Sequence, residues 1–163
     1  MSETLNIRRA TPADAAIVVR HKRLMFEDIG YDDHAWLDEM DIRFLGWVKE
    51  KLAQGEYLGW FVVDETGQVM AGAGLWYLDY FAGPFDLSGK RAHIMNVYTE
   101  PAYRRRGLAR QLMAEVMAWC EQHGIGSVTL NASDKGRGLY ESLGFSATNT
   151  MLRVLPAANG RSG

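Results

Sequence analysis

Three consecutive arginines and a glycine, Arg104-Arg105-Arg106-Gly107, stand between a β-type run and a strongly helical segment. The first backbone N–H groups of a helix have no partner inside the helix, and the helix dipole makes that end positive. Such an end binds anions, most often phosphate groups. The arginines lead directly into it, so residues 96–110 predict a site for a phosphorylated ligand.

The sequence lacks the signatures of several other chemistries. A nucleotide-triphosphate loop needs Gly-Lys-Ser or Gly-Lys-Thr after a glycine-rich turn, and no such run occurs. Gly72-Ala73-Gly74 is not completed to a dinucleotide fingerprint and falls inside a predicted strand. Ser133 and Ser142 lack the Gly-x-Ser-x-Gly setting of a serine hydrolase. We expect no metal site, because the histidines have no metal-ligand spacing and no cysteine partners; they are His21, His34, His93 and His123.

The elements that must position the arginine loop follow from apolar periodicity and from residues that begin or end helices. Thr11 and Asp33 are predicted to cap helices, and Gly55 and Gly124 to end them. In chain order, the predicted strands cover residues 5–9, 57–63, 69–78, 91–99, 127–131 and 145–155, and the predicted helices cover residues 12–30, 34–53, 106–123 and 134–143.

Three consecutive strands between helical regions predict an α+β architecture, a mixed sheet covered by helices on both faces. The strand–helix–strand unit over residues 91–131 must be a parallel, right-handed crossover. The arginine loop then lies at the carboxyl end of its strand, where open sheets bind ligands.

Composition sets the broad class of the protein. A chain of 163 residues with 47% hydrophobic and 23% charged residues predicts one globular domain over residues 1–155, followed by a disordered tail over residues 156–163. The net charge of −2 argues against a nucleic-acid partner. With no long apolar window and no signal-peptide pattern, we expect a cytoplasmic protein without a membrane partner. The single cysteine, Cys120, excludes an internal disulfide and is interpreted as a small buried hydrophobe.

The arginine stretch resembles a known signature. Arg104-Arg105-Arg106-Gly107-Leu108-Ala109 is similar to the Gln/Arg-x-x-Gly-x-Gly/Ala motif of the Gcn5-related N-acetyltransferases, the GNAT superfamily. Upstream, Asn96-Val97-Tyr98-Thr99-Glu100-Pro101 resembles the strand and proline that precede this motif. Downstream, Leu139-Tyr140-Glu141-Ser142-Leu143-Gly144-Phe145 is similar to the late Leu-Tyr-x-x-x-Gly-Phe motif. The ordered pair of motifs is specific, and the similarity covers residues 5–154.

This resemblance implies the acyl-CoA N-acyltransferase fold, with a mostly antiparallel central sheet, and an acetyl-CoA-dependent N-acetyltransferase. The N–H groups and side chains of the loop would bind the coenzyme A phosphates, the preceding strand would hold the pantetheine arm, and an N–H near Val97 would polarise the thioester carbonyl. Asn131 fits a contact to the pantetheine amides or a loop-entry cap, and Ser133 stands where many members have Asn. The predicted cofactor-binding residues are Val97, Tyr98, Thr99, Arg104, Arg105, Arg106, Gly107, Leu108, Ala109, Arg110, Asn131 and Ser133.

Tyr140 matches the family tyrosine taken to be the general acid that protonates the leaving thiolate. The alternative is a tyrosine that packs on the core beside Phe145. The general base is left open, because a lysine-like amine must lose its proton before attack and five residues are candidates. These are Glu27, Asp28, Asp79, His93 and Glu100, the last of which also fits a solvated loop charge.

The acceptor is the least defined partner. Residues 27–41 contain seven acids and no Lys or Arg, which predicts either an attractive border for a cationic amine or a solvated face. The aromatic residues 76–81 fit an acceptor with an apolar body, and equally a homodimer interface. The alternatives to an N-acetyltransferase are a transferase that uses a longer acyl-CoA or a hydroxyl acceptor, and a non-catalytic acyl-CoA-binding or protein-interaction module.

Overall fold

A computed structural model of the chain describes residues 5–156. The chain divides into two compact units, Met1–Asn131 and Ala132–Gly163. The single domain predicted over residues 1–155 stays a prediction, and of the predicted tail only Pro156 belongs to the described residues. The first unit contains strands β1 (Asn6–Arg9), β2 (Tyr57–Val63), β3 (Val69–Asp79), β4 (Lys90–Thr99) and β5 (Val128–Leu130), and helices α1 (Ala15–Asp28), α2 (His34–Gln54) and α3 (Leu108–Gln122).

The five strands form one mixed sheet in the order β1-β2-β3-β4-β5. The first four strands are antiparallel to their neighbours, and β5 is parallel to β4. The predicted mixed, mostly antiparallel sheet and the parallel crossover through α3 are therefore confirmed. Loops join β2 to β3 and β3 to β4, whereas the chain between the antiparallel strands β1 and β2 contains α1 and α2, and the parallel pair β4 and β5 is connected through α3.

Helices cover the two faces of the sheet, as the alternation of side chains along β2 shows. Tyr57, Phe61 and Val63 point to one side, where they form a core with Ala15 and Val18 of α1. Trp60 points to the other side and meets Trp119 of α3, with ring centroids 6.4 Å apart.

Helix ends follow the predicted signals closely. The Asp33 side chain accepts a hydrogen bond from the Trp36 N–H at the start of α2. Gly55 ends that helix in the left-handed conformation, with φ 72°. A short 3-10 helix, Pro12–Asp14, precedes α1, and its capping box joins Thr11 and Asp14.

The second unit departs from the predictions at its end. Helix α4 (Arg137–Ser142) begins three residues later than predicted, because residues 134–136 form a turn. The strand predicted over residues 145–155 is wrong, since that stretch has no regular secondary structure. Alternation of apolar and polar residues does not by itself produce a strand, because the backbone also needs a hydrogen-bonding partner. The large apolar side chains of this stretch are exposed, among them Met151 at 94% and Leu152 at 88%.

Within residues 5–156, no helix combines the length and the apolar character that crossing a bilayer requires.

Candidate active site

Strand β4 is interrupted by a β-bulge. Tyr98 pairs with Gly72 and Met95 pairs with Gly74, so two residues of β4, Asn96 and Val97, oppose the single Ala73 between them. Asn96 has a left-handed backbone, with φ 57°, a conformation that asparagine tolerates better than most residues. The bulge changes the direction of the strand and of its side chains in the second half of β4.

A buried hydrogen bond pins this bulge. The Asn96 side-chain amide, 4% exposed, donates to the Tyr57 hydroxyl over 3.1 Å. Tyr57 lies directly above Gly74, where an added Cβ would be 1.8 Å from the tyrosine hydroxyl oxygen. Burial raises the pKa of Tyr57, so the hydroxyl stays protonated. Sequence reasoning missed this arrangement, although a glycine inside a strand is the signal that another group approaches closely.

Beyond the bulge, β4 continues without a neighbouring strand on its β5 side. The parallel ladder pairs Ala92, His93 and Ile94 with β5 and ends at the pair Ile94–Leu130. Among the described residues, positions 95–99 therefore have strand partners only in β3. An extended ligand arm could add to this edge as a further strand does, which is the arrangement predicted for Val97 and Thr99.

The arginine loop gives α3 an uncapped start. After a second short 3-10 helix, Pro101–Tyr103, Arg105 and Gly107 both adopt the left-handed conformation, with φ 64° and 75°. Gly107 is the N-cap residue of α3, and no side chain caps the helix. Within residues 5–156, the backbone N–H groups of Leu108 and Ala109 have no hydrogen-bond acceptor. The loop thus directs unsatisfied donors at the positive end of the helix dipole, the geometry that binds anions.

The arginine side chains have different roles in the loop. Arg104 donates to the Asp28 carboxylate over 2.7 Å and to the Thr99 backbone carbonyl over 3.0 Å, so its charge ties the loop to α1 and to the end of β4. The Arg106 guanidinium lies over the Tyr103 ring, 5.4 Å from its centroid. Arg105 and Arg110 are exposed. Direct contacts of these side chains with a phosphate stay predictions.

The two other predicted cofactor contacts follow β5. Asn131 directly follows the strand and is exposed. In the second unit, the Ser133 hydroxyl accepts a hydrogen bond from the Gly136 N–H over 3.2 Å, within the turn that precedes α4. Their contacts with a cofactor stay predictions.

Tyr140 lies in α4, in the second unit. Its ring packs edge-on against Phe145, with centroids 6.1 Å apart. Burial raises the pKa of its hydroxyl above the ordinary value of 10.0. The phenol therefore holds its proton at neutral pH, as a general acid requires, while the packing against Phe145 matches the alternative structural role.

The carboxylates that were candidates for the general base are held by basic side chains. Glu27 pairs with Arg23 over 2.6 Å, and Asp28 pairs with Arg104. Asp79 pairs with Lys90, and Glu100 with Arg20. Hydrogen bonding to those cations lowers the pKa of Asp79 and of Glu100, which makes both weaker proton acceptors.

His93 is the candidate base that differs from these carboxylates. It is half-buried in β4, and its Nδ1 lies 2.8 Å from the Thr129 hydroxyl oxygen of β5. Burial first, and then the positive charges of Arg91 and Lys22, lower its pKa below 6.5. The imidazole is consequently neutral at pH 7.

The acidic segment 27–41 carries less uncompensated charge than its composition suggests. Arg23 donates to Glu27, Asp38 and Asp41. Asp28 and Glu39 pair with further arginines, which leaves five of the seven acids in ion pairs. This pattern favours the solvated face over an attractive border for a cation, because paired carboxylates have little charge left to offer.

Two further predictions concern metals and the thiol. No group of three potential metal ligands occurs among residues 5–156. Cys120 is buried, which confirms its interpretation as a core residue. Burial raises its pKa to about 11, so it is a protonated thiol and not a nucleophile at neutral pH.

Comparison with known proteins identifies the family and the fold. The sequence model of the Acetyltransferase (GNAT) family matches residues 21–145. A glucosamine 6-phosphate N-acetyltransferase from Trypanosoma brucei brucei is 31% identical over 96 residues, 58% of this chain. That match spans 62% of the relative's own length.

Solved structures match over nearly the whole chain. A GCN5-related N-acetyltransferase from Ralstonia eutropha JMP134 superposes with a TM-score of 0.89 at 32% identity, covering 94% of this chain and 100% of the other. A protein from Clostridium acetobutylicum, described as a predicted acetyltransferase and crystallised with acetyl-CoA, gives a TM-score of 0.84 at 25% identity, covering 94% and 97% of the two chains. The motifs, the mixed sheet and these matches agree, and the chain belongs to the Acetyltransferase (GNAT) family.

Proposed function

We propose that this protein is an acetyl-CoA-dependent N-acetyltransferase, which transfers an acetyl group to a primary amine by direct attack in a ternary complex. The observation that carries the proposal is the uncapped start of α3, which follows the left-handed residues Arg105 and Gly107 at the carboxyl end of the bulged strand β4. Membership of the GNAT family and the acetyl-CoA complex of the Clostridium acetobutylicum protein support the same conclusion.

The residues present fit both the pyrophosphate and the pantetheine arm of coenzyme A. The N–H groups of Leu108 and Ala109 would receive the pyrophosphate, and Gly107 leaves space because no atom lies within 4 Å of where its Cβ would be. Arg105 and Arg110 are exposed beside them and would add charge-assisted contacts. The backbone of Val97 and Thr99, on the part of β4 that lacks a β5 partner, would hold the pantetheine arm.

When bound, acetyl-CoA supplies the acetyl group as a thioester, and transfer to an amine forms a C–N bond and breaks the C–S bond. The β4–β5 ladder ends at Ile94, so the backbone near Val97 would be available to the thioester, and one N–H aimed at the carbonyl oxygen typically contributes about 3 kcal/mol to catalysis. Tyr140 carries its proton on Oη and would donate it to the departing sulfur.

Free-thiol release in the presence of acetyl-CoA and a panel of primary amines tests this proposal, with acetyl-CoA binding measured separately by calorimetry. We expect binding of acetyl-CoA, and thiol release that depends on an amine. Absence of acetyl-CoA binding would refute the proposal outright. Binding without amine-dependent thiol release would instead favour the non-catalytic acyl-CoA-binding module.

A panel of acyl-CoAs with increasing chain length separates the proposed acetyl donor from longer ones. We expect the highest kcat/KM with acetyl-CoA. A maximum at a longer chain, or turnover only with alcohols, would replace the donor or the acceptor while leaving the coenzyme A loop in place.

A further inference from the structure

Three basic side chains that the reaction scheme does not use lie together on the α1 and α2 side of the sheet. Lys22 belongs to α1, which packs on β4, and Arg91 and His93 belong to β4. His93 faces Trp76 across the strands, and Trp76 in turn contacts Trp47 of α2, with ring centroids 5.4 Å apart. Arg91 shares this face because alternate residues of a strand point to the same side. We call Lys22, Arg91 and His93 the basic cluster.

Lys22 has aromatic rings around its ammonium group and no counter-ion within the described part of the chain. Its Nζ lies 5.0 Å from the centroid of the Phe26 ring and 4.7 Å from that of Phe44. It forms no ion pair with any residue from 5 to 156, although several acids follow on α1 and α2. Burial lowers the pKa of Lys22. Ring faces compensate only part of the hydration that a buried ammonium loses.

Arg91, like Lys22, has an aromatic ring against its charged group. Its guanidinium carbon lies 3.5 Å from the centroid of the Tyr80 ring, and its Nε is buried without a hydrogen-bond acceptor in the described part of the chain. It too forms no ion pair there, unlike Arg20, Arg23 and Arg104, each of which pairs with a carboxylate. A buried donor without a partner is uncommon in folded proteins and needs an explanation.

A ligand of defined chemistry would explain the positions of Lys22 and Arg91 beside His93. Carboxylate and phosphate groups are the usual partners of a guanidinium fork and an ammonium group. The aromatic side chains between and around them, Phe44, Trp47 and Trp76, offer an apolar wall for the body of such a ligand, with Phe44 and Trp47 stacked at 5.7 Å.

We propose that the basic cluster binds an anionic group, a carboxylate or a phosphate monoester, carried by the same acceptor whose amine is acetylated. This inference rests on the proposed function. His93 pairs with Trp76 and the bulged Val97 lies opposite Ala73, three residues away on β3, a separation of about 10 Å at about 3.3 Å per residue. The long side chains of Lys22 and Arg91 cover part of that distance, so the acceptor has several bonds between its amine and its anionic group. An acceptor of this kind replaces the purely cationic amine that the acidic segment 27–41 suggested.

Matched pairs of amines test the proposal through catalysis. Glucosamine 6-phosphate is compared with glucosamine for the phosphate arm, and 4-(2-aminoethyl)benzoate with phenethylamine for the carboxylate arm. We expect kcat/KM to be at least about tenfold higher for the anionic member of one pair, the size that a charge-assisted hydrogen bond provides. In Lys22→Met and Arg91→Met this preference should fall several-fold, whereas Lys49→Met, at an exposed lysine of α2, should keep it.

A binding measurement makes the result independent of turnover. The imidazole NMR signals of His93, assigned with His93→Gln, are followed while phenyl phosphate or phenylacetate is added to the full chain without acetyl-CoA. We expect a saturable shift of the His93 signals that benzyl alcohol does not cause and that Arg91→Met abolishes.

The two measurements separate the possible failures. Acetylation without preference for an anionic amine, together with an unresponsive His93, would overturn the basic cluster as a binding site and leave the proposed function standing. A saturable, Arg91-dependent shift in a protein that acetylates no amine would support the anion site and count against the proposed function. A preference that survives both Lys22→Met and Arg91→Met would also overturn the inference.

Discussion

Gly107 and Gly55 have nearly the same backbone conformation, but only Gly107 lies in the proposed coenzyme A loop. Their φ and ψ angles are 75° and 17° at Gly107, and 72° and 16° at Gly55. A Cβ at either position would meet no atom within 4 Å. Replacement by alanine therefore strains only the backbone, and we expect Gly107→Ala and Gly55→Ala to lower the free energy of unfolding alike, by about 1 kcal/mol.

A charge at Gly107 should affect the cofactor much more than the fold. Aspartate and asparagine are both good N-cap residues and tolerate left-handed backbone, so the two variants should be similarly stable. They differ in charge. A carboxylate about 6 Å from a doubly charged pyrophosphate, at an effective dielectric constant of about 50, costs about 2 kcal/mol, or about thirtyfold in affinity.

Calorimetric titration with acetyl-CoA, together with urea unfolding, checks these values. Gly107→Asp should bind acetyl-CoA about thirtyfold more weakly than Gly107→Asn, and Gly55→Ala should bind like the unmodified protein. Equal affinities for the Asp and Asn variants would refute the placement of the pyrophosphate at the start of α3.

Three further predictions use other parts of the structure. Tyr140→Phe should lower kcat about a hundredfold or more and leave acetyl-CoA affinity unchanged; an unchanged kcat would remove the acid role from this residue. Tyr57→Phe leaves the buried Asn96 amide without an acceptor and should cost about 1–3 kcal/mol in urea unfolding, whereas Tyr31→Phe, at an exposed tyrosine, should cost almost nothing. Burial lowers the pKa of His21 from 6.5 to about 4, so the unfolded chain binds a proton first as the pH falls. The stability that the neutral imidazole provides is complete above pH 6.5 and is lost as the pH falls toward 4, a change of up to about 3 kcal/mol that His21→Gln should reduce.

Residues that act through local backbone chemistry were predictable from the sequence. The arginine loop, the glycine at its end and the following amphipathic helix are short-range features, and the structure has them at the predicted positions. The same holds for Asp33 and Gly55, which begin and end α2 by hydrogen bonds within a few residues. A left-handed glycine before a helix is readable from the sequence because few other residues tolerate that conformation.

Features that depend on distant partners were not predictable in the same way. The bulge at Asn96 needs the hydroxyl of Tyr57, which is 39 residues away in the chain. Residues 27–41 contain no Lys or Arg, but in the fold Arg23 donates hydrogen bonds to three of their acids. The alternation over residues 145–155 predicted a strand, but a strand exists only where a neighbouring backbone pairs with it. In each case the sequence shows one of the interacting residues but does not show which distant residue the fold brings into contact with it.

Transfer of an isotopically labelled acetyl group is the most direct measurement of the proposed activity. Acetyl-CoA labelled with ¹³C in the acetyl group is incubated with the protein and the amine panel, and the products are identified by mass spectrometry. The proposed function predicts an amine that carries the labelled acetyl group on nitrogen, formed in proportion to the free thiol. Thiol release without any labelled amine would contradict it.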